Sequence, residues 1–169
     1  MPDSKEHLMD WLRDAHAMEQ QAEQMLTSMS GRIENYPDLK ARVDQHIGET
    51  RNQALKLERC IQRLGGDTSA IKDMTGRAMA MMQGLAGMFA SDEVVKGAMA
   101  SYAFEHLEIA AYTELCAAAR TLGDTQTLQT CEEILEEEKA MAAWLGEHLS
   151  AVTQRFLVLS DTAGSQAKR

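Results

Sequence analysis

Four long stretches of the chain repeat apolar residues at every third or fourth position, the spacing that lines one face of an α-helix. Only two prolines, Pro2 and Pro37, occur in the 169 residues, so long helices can run without interruption. Glycines or helix-capping residues separate the stretches. The pattern predicts an all-α protein with helices over about residues 4–30, 37–64, 91–122 and 125–150.

The lengths of the connections indicate how these helices pair. Short turns join the first helix to the second and the third to the fourth, whereas residues 65–90 separate the second from the third. Two antiparallel hairpins joined by one long crossover are typical of the ferritin-like four-helix bundle. We therefore expect a single ferritin-like domain over residues 1–169. A short extra helix is expected in the crossover. In the tail, 151–169, the segment RFLVLS is expected to pack on the bundle or on a second subunit, and the end, SQAKR, is expected to fray.

Charge and hydropathy argue against several classes of partner. The net charge of −9 disfavours nucleic acid, because phosphate binding requires a basic surface. No apolar run reaches the roughly 18 residues of a membrane span, and the charged N-terminal sequence lacks the apolar segment of a secretory signal. The three cysteines are scattered without a CxxC pair, which is typical of reduced thiols. We expect a cytoplasmic protein that binds neither nucleic acid nor membrane.

Several glutamates stand where the helical pattern requires an apolar side chain. On the inner stripe of the first helix every position is apolar except Glu19, and on that of the fourth the exception is Glu138. The second and third helices also bring polar groups to their inner faces: His46, Glu49, Glu105 and Glu108. Each helix of the predicted bundle therefore contributes at least one carboxylate to the core.

Counting along the chain places these acids at one depth. Glu19 and Glu49 each lie about 15 residues from the first turn, or roughly 22 Å at the rise of an α-helix. Glu108 and Glu138 lie at similar distances from the turn at Gly123. A buried carboxylate without a partner costs several kcal/mol, so converging acids require protons or cations. Two divalent ions would balance most of this charge, and hard or borderline metals suit oxygen ligands.

Four sequence motifs carry a resemblance to a known family. The stretches DWLRDAHAMEQQAEQML, HIGETRNQALKLE, FEHLEIAAY and ILEEEKAMAAWL occur in that order. They resemble the YciE/YciF family of bacterial ferritin-like stress proteins, with the nearest likeness to its YciE members, over at least residues 7–160. The resemblance implies a ferritin-like bundle, a tendency to form homodimers and a dinuclear metal site.

The resemblance also implies which residues bind the metal ions: Glu19, Glu49, Glu105, Glu108 and Glu138. Glu49 and Glu105 are the candidates for bridging, and Glu108 is either a ligand or an acceptor next to one. His46 either ligates or orients a carboxylate. The sequence departs from the Glu-x-x-His pattern of di-iron bundles, because Asn52 and Met141 stand at the histidine positions. A site so poor in histidine suits iron or manganese and weakens the case for a fast ferroxidase reaction.

Two hypotheses for function follow. The first is a metalloprotein with a dinuclear iron or manganese centre that reacts with a small oxidant, peroxide or O₂, in oxidative or general stress. The alternative is a non-catalytic helical stress or interaction protein with structural metal or none. Tyr102 and Tyr112 flank the acids of the third helix, and we expect core residues with bonded hydroxyls rather than relays of electrons or protons.

Overall fold

The computed structural model describes residues 3–66, 92–162 and 167, and it contains four long helices within these ranges. These are α1 (Ser4–Ser30), α2 (Pro37–Arg63), α3 (Glu93–Leu122) and α4 (Thr125–Ser160). No strand occurs among the described residues, which confirms the all-α prediction. The predicted crossover with its extra helix falls almost entirely outside the described residues. None of the described helices is long and apolar enough to cross a membrane.

The helices begin where the local sequence offers suitable caps. At the start of α1, the Asp3 side chain accepts hydrogen bonds of 2.9 Å from the backbone N–H groups of Lys5 and Glu6. The Glu6 side chain in turn accepts from the backbone N–H of Asp3, which completes a capping box. Pro37 begins α2 at the first helical position, where its missing N–H costs nothing.

The turn between α3 and α4 depends on Gly123, whose φ of 72° lies in the left-handed region that side chains with a Cβ avoid. Its backbone N–H donates to carbonyls of the last turn of α3 and so ends that helix. An added Cβ would meet no atom within 4 Å. The cost of a substitution here is therefore backbone strain alone.

Replacing Gly123 with Ala is expected to lower the free energy of unfolding by about 1–2 kcal/mol, measured by urea denaturation. Gly48 is the matched control, because it also has open space around its Cβ position but lies within α2. Gly48→Ala is expected to raise the free energy of unfolding by about 0.5–1 kcal/mol. Changes of the same sign in both variants would contradict this explanation.

Helix α4 is longer than the sequence pattern predicted, ending at Ser160 rather than near residue 150. The predicted end was wrong because the stretch AVTQRFLVLS contains neither glycine nor proline to stop a helix. Val152 is buried, and Phe156 and Leu159 pack against the same apolar cluster. The first part of the predicted tail is therefore a helical extension of the bundle.

Two apolar layers form the core, one towards each end of the bundle. Layer A includes Leu12, Leu57, Ile61, Leu115 and Ile134. Layer B includes Leu26, Val43, Ala98, Met141 and Leu145. The first halves of α1 and α4 thus share layer A with the second halves of α2 and α3, so neighbouring helices are antiparallel. Helix α2 ends beside layer A and α3 begins beside layer B, as the long-crossover topology requires.

Candidate metal centre

A polar layer lies between layers A and B in the middle of the bundle. Its members come from all four helices, and each is at most 1% exposed: Glu19, His46, Thr50, Gln53, Glu105, Glu108 and Glu138. Along each helix these residues lie at the junction of the stretches that form the two apolar layers. Carboxylates that lose their water on burial cost several kcal/mol each, so this layer requires compensating partners.

Four residues of the polar layer converge closely enough to share one cation. His46 from α2, Glu105 and Glu108 from α3, and Glu138 from α4 each present a ligand atom, and these atoms lie within 4.8 Å of one another. All four side chains are buried. An arrangement of three carboxylates and one imidazole can bind a divalent metal ion.

His46 connects the buried acids to the edge of the bundle. Its Nδ1 lies 2.7 Å from a carboxylate oxygen of Glu49, and its Nε2 lies 3.1 Å from Glu105 Oε2 and 3.4 Å from Glu138 Oε2. Burial alone would lower the pKa of His46, but its contacts with these three carboxylates outweigh that effect and raise its pKa to about 12. Without a metal ion, a positively charged imidazole balances part of the negative charge.

Glu49 lies at the rim of the polar layer rather than inside it. Its side chain is 23% exposed, whereas those of the other five predicted ligands are buried. It accepts hydrogen bonds from Arg42 at 3.1 Å and Gln45 at 2.8 Å, besides its contact with His46. The His46 contact, aided by Gln45 and Arg42, lowers the pKa of Glu49 to about 2. Glu49 is therefore an anion at neutral pH and orients His46.

Glu19 belongs to the polar layer but not to the group of four. One of its oxygens, Oε1, accepts a hydrogen bond from the hydroxyl of Tyr112 on α3. Its second oxygen, Oε2, is buried without a hydrogen-bond partner. Burial, reinforced by the charge of Glu138, raises the pKa of Glu19 well above its usual value. The expectation that Tyr112 is a core residue with a bonded hydroxyl agrees with this position.

The pKa values of the remaining buried acids shift in different directions, although these acids share the same polar layer. Burial, followed by the charges of Glu19 and Glu138, raises the pKa of Glu108 well above its usual value. Burial also raises the pKa of Glu105, to about 7, against the opposing effect of His46. Burial alone would raise the pKa of Glu138, but its contacts with His46 and Glu105 outweigh burial and lower its pKa. Without a metal ion, the raised pKa values of Glu19, Glu108 and His46 favour their protonated forms and so limit the negative charge.

Gln53 is a site residue that the sequence analysis did not select. It is fully buried, and its side-chain amide donates to Glu138 at 2.5 Å and to Glu137 at 2.8 Å. Its signal in the sequence is weak but present, because it is a polar residue seven positions after His46 on the inner stripe of α2. A polar side chain repeated after two helical turns faces the same direction.

The structure therefore brings most of the predicted ligands together. Of the six, it groups His46, Glu105, Glu108 and Glu138, places Glu19 in the same buried layer and places Glu49 on its rim. Their binding of metal stays a prediction.

Comparison with known proteins places the chain in a family. The family described as "Domain of unknown function (DUF892)" matches residues 3–158, nearly the whole chain. This protein belongs to the DUF892 family. A Xanthomonas campestris protein of known crystal structure is 42% identical in sequence to this DUF892 protein. The two structures match with a TM-score of 0.80, over 95% of this chain and 100% of that one.

Two more distant structures define the fold. The Escherichia coli stress protein YciF is 22% identical, with a TM-score of 0.76 over 88% of this chain and 96% of its own. A ferritin-like, diiron-carboxylate protein from Bacillus anthracis is 18% identical, with a TM-score of 0.70 over 88% and 99%. At such identities the likeness concerns fold alone, and it confirms the ferritin-like bundle. The family prediction is supported in its broad form, whereas the assignment to YciE members stays a prediction.

Proposed function

We propose that this DUF892 protein binds two divalent metal ions, iron or manganese, in its polar layer and uses them in redox chemistry under oxidative or general stress. The observation that carries the proposal is a set of buried ligand atoms without hydrogen-bond partners. Glu19 Oε2 and Glu108 Oε1 are two of these atoms. The others are His46 Nε2, Glu105 Oε2 and Glu138 Oε2, which approach one another at 3.1 and 3.4 Å without hydrogen-bond geometry. Buried polar atoms in proteins are nearly always satisfied, so this group of ligand atoms supports cation binding in the layer.

The partners of these acids distinguish a metal site from an ordinary buried ion-pair network. Among the described residues, no lysine or arginine forms an ion pair with any of the four buried acids. Tyr112 and Gln53, which do contact Glu19 and Glu138, are neutral donors. Neutral donors satisfy one oxygen without cancelling the charge. Among the described residues, His46 is the cationic side chain paired with these acids, so four carboxyl groups share one positive charge and can accept an added cation.

The donor set favours iron or manganese over softer metals. Carboxylate oxygens outnumber the single imidazole, and thiolates are absent from the group of four. Glu105, Glu108, Glu138 and His46 would hold one ion, and Glu19 would contribute to the second. Glu49 would reach a metal only by leaving its present partners. A dinuclear centre of this kind supplies electrons to small oxidants such as peroxide or O₂.

The surrounding chain has two tasks in this proposal. Layers A and B cover the polar layer from both ends and exclude water, which strengthens electrostatic interactions inside. His46 and Glu49 link the layer to the bundle surface, since Glu49 is partly exposed and contacts the buried His46. We further expect the protein to be a cytoplasmic homodimer. Size-exclusion chromatography with light scattering would measure its oligomeric state.

Metal analysis of the untagged protein after growth with iron and manganese tests this function. We expect about two ions per chain in the wild type and about one or fewer in Glu19→Ala and Glu138→Ala. Glu136→Ala is the matched control, because Glu136 lies on α4 but is 72% exposed. Less than about a tenth of an ion per wild-type chain would falsify the proposal.

A specific observation favours the alternative, a non-catalytic helical protein. The pKa of about 12 for His46 means that an imidazolium can balance buried acids without any metal. If the protein carries two ions but consumes neither peroxide nor O₂, the metal is structural. If it carries none, the histidine and the protonated acids are a structural network.

A further inference from the structure

Within the described part of the chain, Tyr112 donates the one hydrogen bond that the Glu19 carboxyl group accepts. The tyrosine is fully buried on α3, and its hydroxyl donates across the helix interface to Glu19 Oε1 on α1. The phenol is the donor in this hydrogen bond, and the carboxyl oxygen of Glu19 is the acceptor. Because a phenylalanine would fill the same apolar space in layer A, packing alone does not account for the hydroxyl group.

The geometry assigns different roles to the two oxygens of Glu19. Oε1 is occupied by the phenol, and Oε2 is buried with no hydrogen-bond partner. A similar arrangement occurs at Glu138, where the amide of Gln53 holds Oε1, while Oε2 receives no hydrogen bond and lies 3.4 Å from His46 Nε2. In both cases a neutral side chain from an adjacent helix fixes one oxygen of a buried acid. The second oxygen stays available.

We propose that Tyr112 is a positioning residue, which fixes the Glu19 carboxylate so that Oε2 alone is offered to a divalent cation. This inference rests on the proposed metal centre and adds a residue to it. Tyr112 itself touches no ion. By holding Oε1, it reduces the freedom that Glu19 would lose on binding a cation, and it keeps Oε1 from rotating into the ligand position. Groups that orient ligands in this way typically contribute 10–100-fold to metal affinity.

Cobalt(II) titration of the metal-free protein tests the proposal, with absorption spectroscopy and a competing chelator as readouts. We expect Tyr112→Phe to bind two ions with one of them about 10–100-fold weaker, and with a changed visible absorption of cobalt. The control is Tyr102→Phe on the same helix, since the Tyr102 ring packs on His106. We expect wild-type affinities and spectrum for this variant.

A double-mutant cycle separates positioning from general loosening of the bundle. In the Glu19→Ala background, the ion that depends on Glu19 is lost, and adding Tyr112→Phe should leave the affinity for the remaining ion unchanged. If the double mutant binds the remaining ion more weakly than Glu19→Ala does, Tyr112 does not act through Glu19, and the positioning role is overturned. Wild-type affinities in Tyr112→Phe would also overturn it. Failure of the wild type to bind cobalt overturns the proposed metal centre and this inference together, which distinguishes the two cases.

Discussion

Adding Mn²⁺ to the metal-free protein at pH 8 is expected to raise its melting temperature by about 10–20 °C. An ion that binds only the folded state at 100 times its dissociation constant contributes about 2.7 kcal/mol, so two ions contribute about 5 kcal/mol. For a chain of this size, each kcal/mol added to the free energy of unfolding raises the melting temperature by about 2–4 °C. Circular dichroism melts at several manganese concentrations would measure the shift.

This stabilisation should vanish in acid. Metal binding must remove protons, because the pKa values of Glu19 and Glu108 are raised, that of Glu105 is about 7 and that of His46 is about 12. As the pH falls, protons compete more strongly, so the manganese-induced shift should be large at pH 8 and absent near pH 5. Glu138→Ala should lose most of the shift at pH 8. An equal shift in Glu138→Ala would show that manganese binds elsewhere.

The fold could be predicted from sequence because its determinants are local. Pro37 at the start of α2 and Gly123 after α3 mark helix ends through backbone conformation alone. The end of α4 could not be predicted in the same way. There, Leu157 and Val158 are more than half exposed although the segment is helical, so burial does not follow the expected stripe.

The candidate site was predictable where an acid interrupts a strict apolar stripe. Glu19 and Glu138 do so, and both are buried. Glu49 follows His46 by three residues, which places it about 60° round the helix, at the margin of the inner stripe. Periodicity cannot decide whether a residue at that margin is inside or on the rim. The contact between Tyr112 and Glu19 was beyond prediction, because it depends on the rotation and axial register of α1 against α3.

Glu108→Gln is expected to stabilise the metal-free protein at pH 8 while weakening its metal binding. Glu108 has a folded-state pKa well above its usual value, so the folded chain must take up or retain a proton that the unfolded chain has released. The resulting penalty is absent below the ordinary glutamate pKa of about 4.5 and grows as the pH rises above it. Glutamine cannot ionise, so this penalty disappears.

Urea denaturation of chelator-treated protein at pH 4 and at pH 8 measures this difference. The free energies of unfolding of wild type and Glu108→Gln should be close at pH 4 and diverge at pH 8, with the variant the more stable. Glu114→Gln is the control, because Glu114 is an exposed acid on the same helix and should change stability little at either pH. A Glu108→Gln protein less stable than wild type at pH 8 would mean that the carboxylate is needed by the metal-free fold. The polar layer would then be a structural network, whereas the expected gain marks a site in which stability is given up to bind a cation.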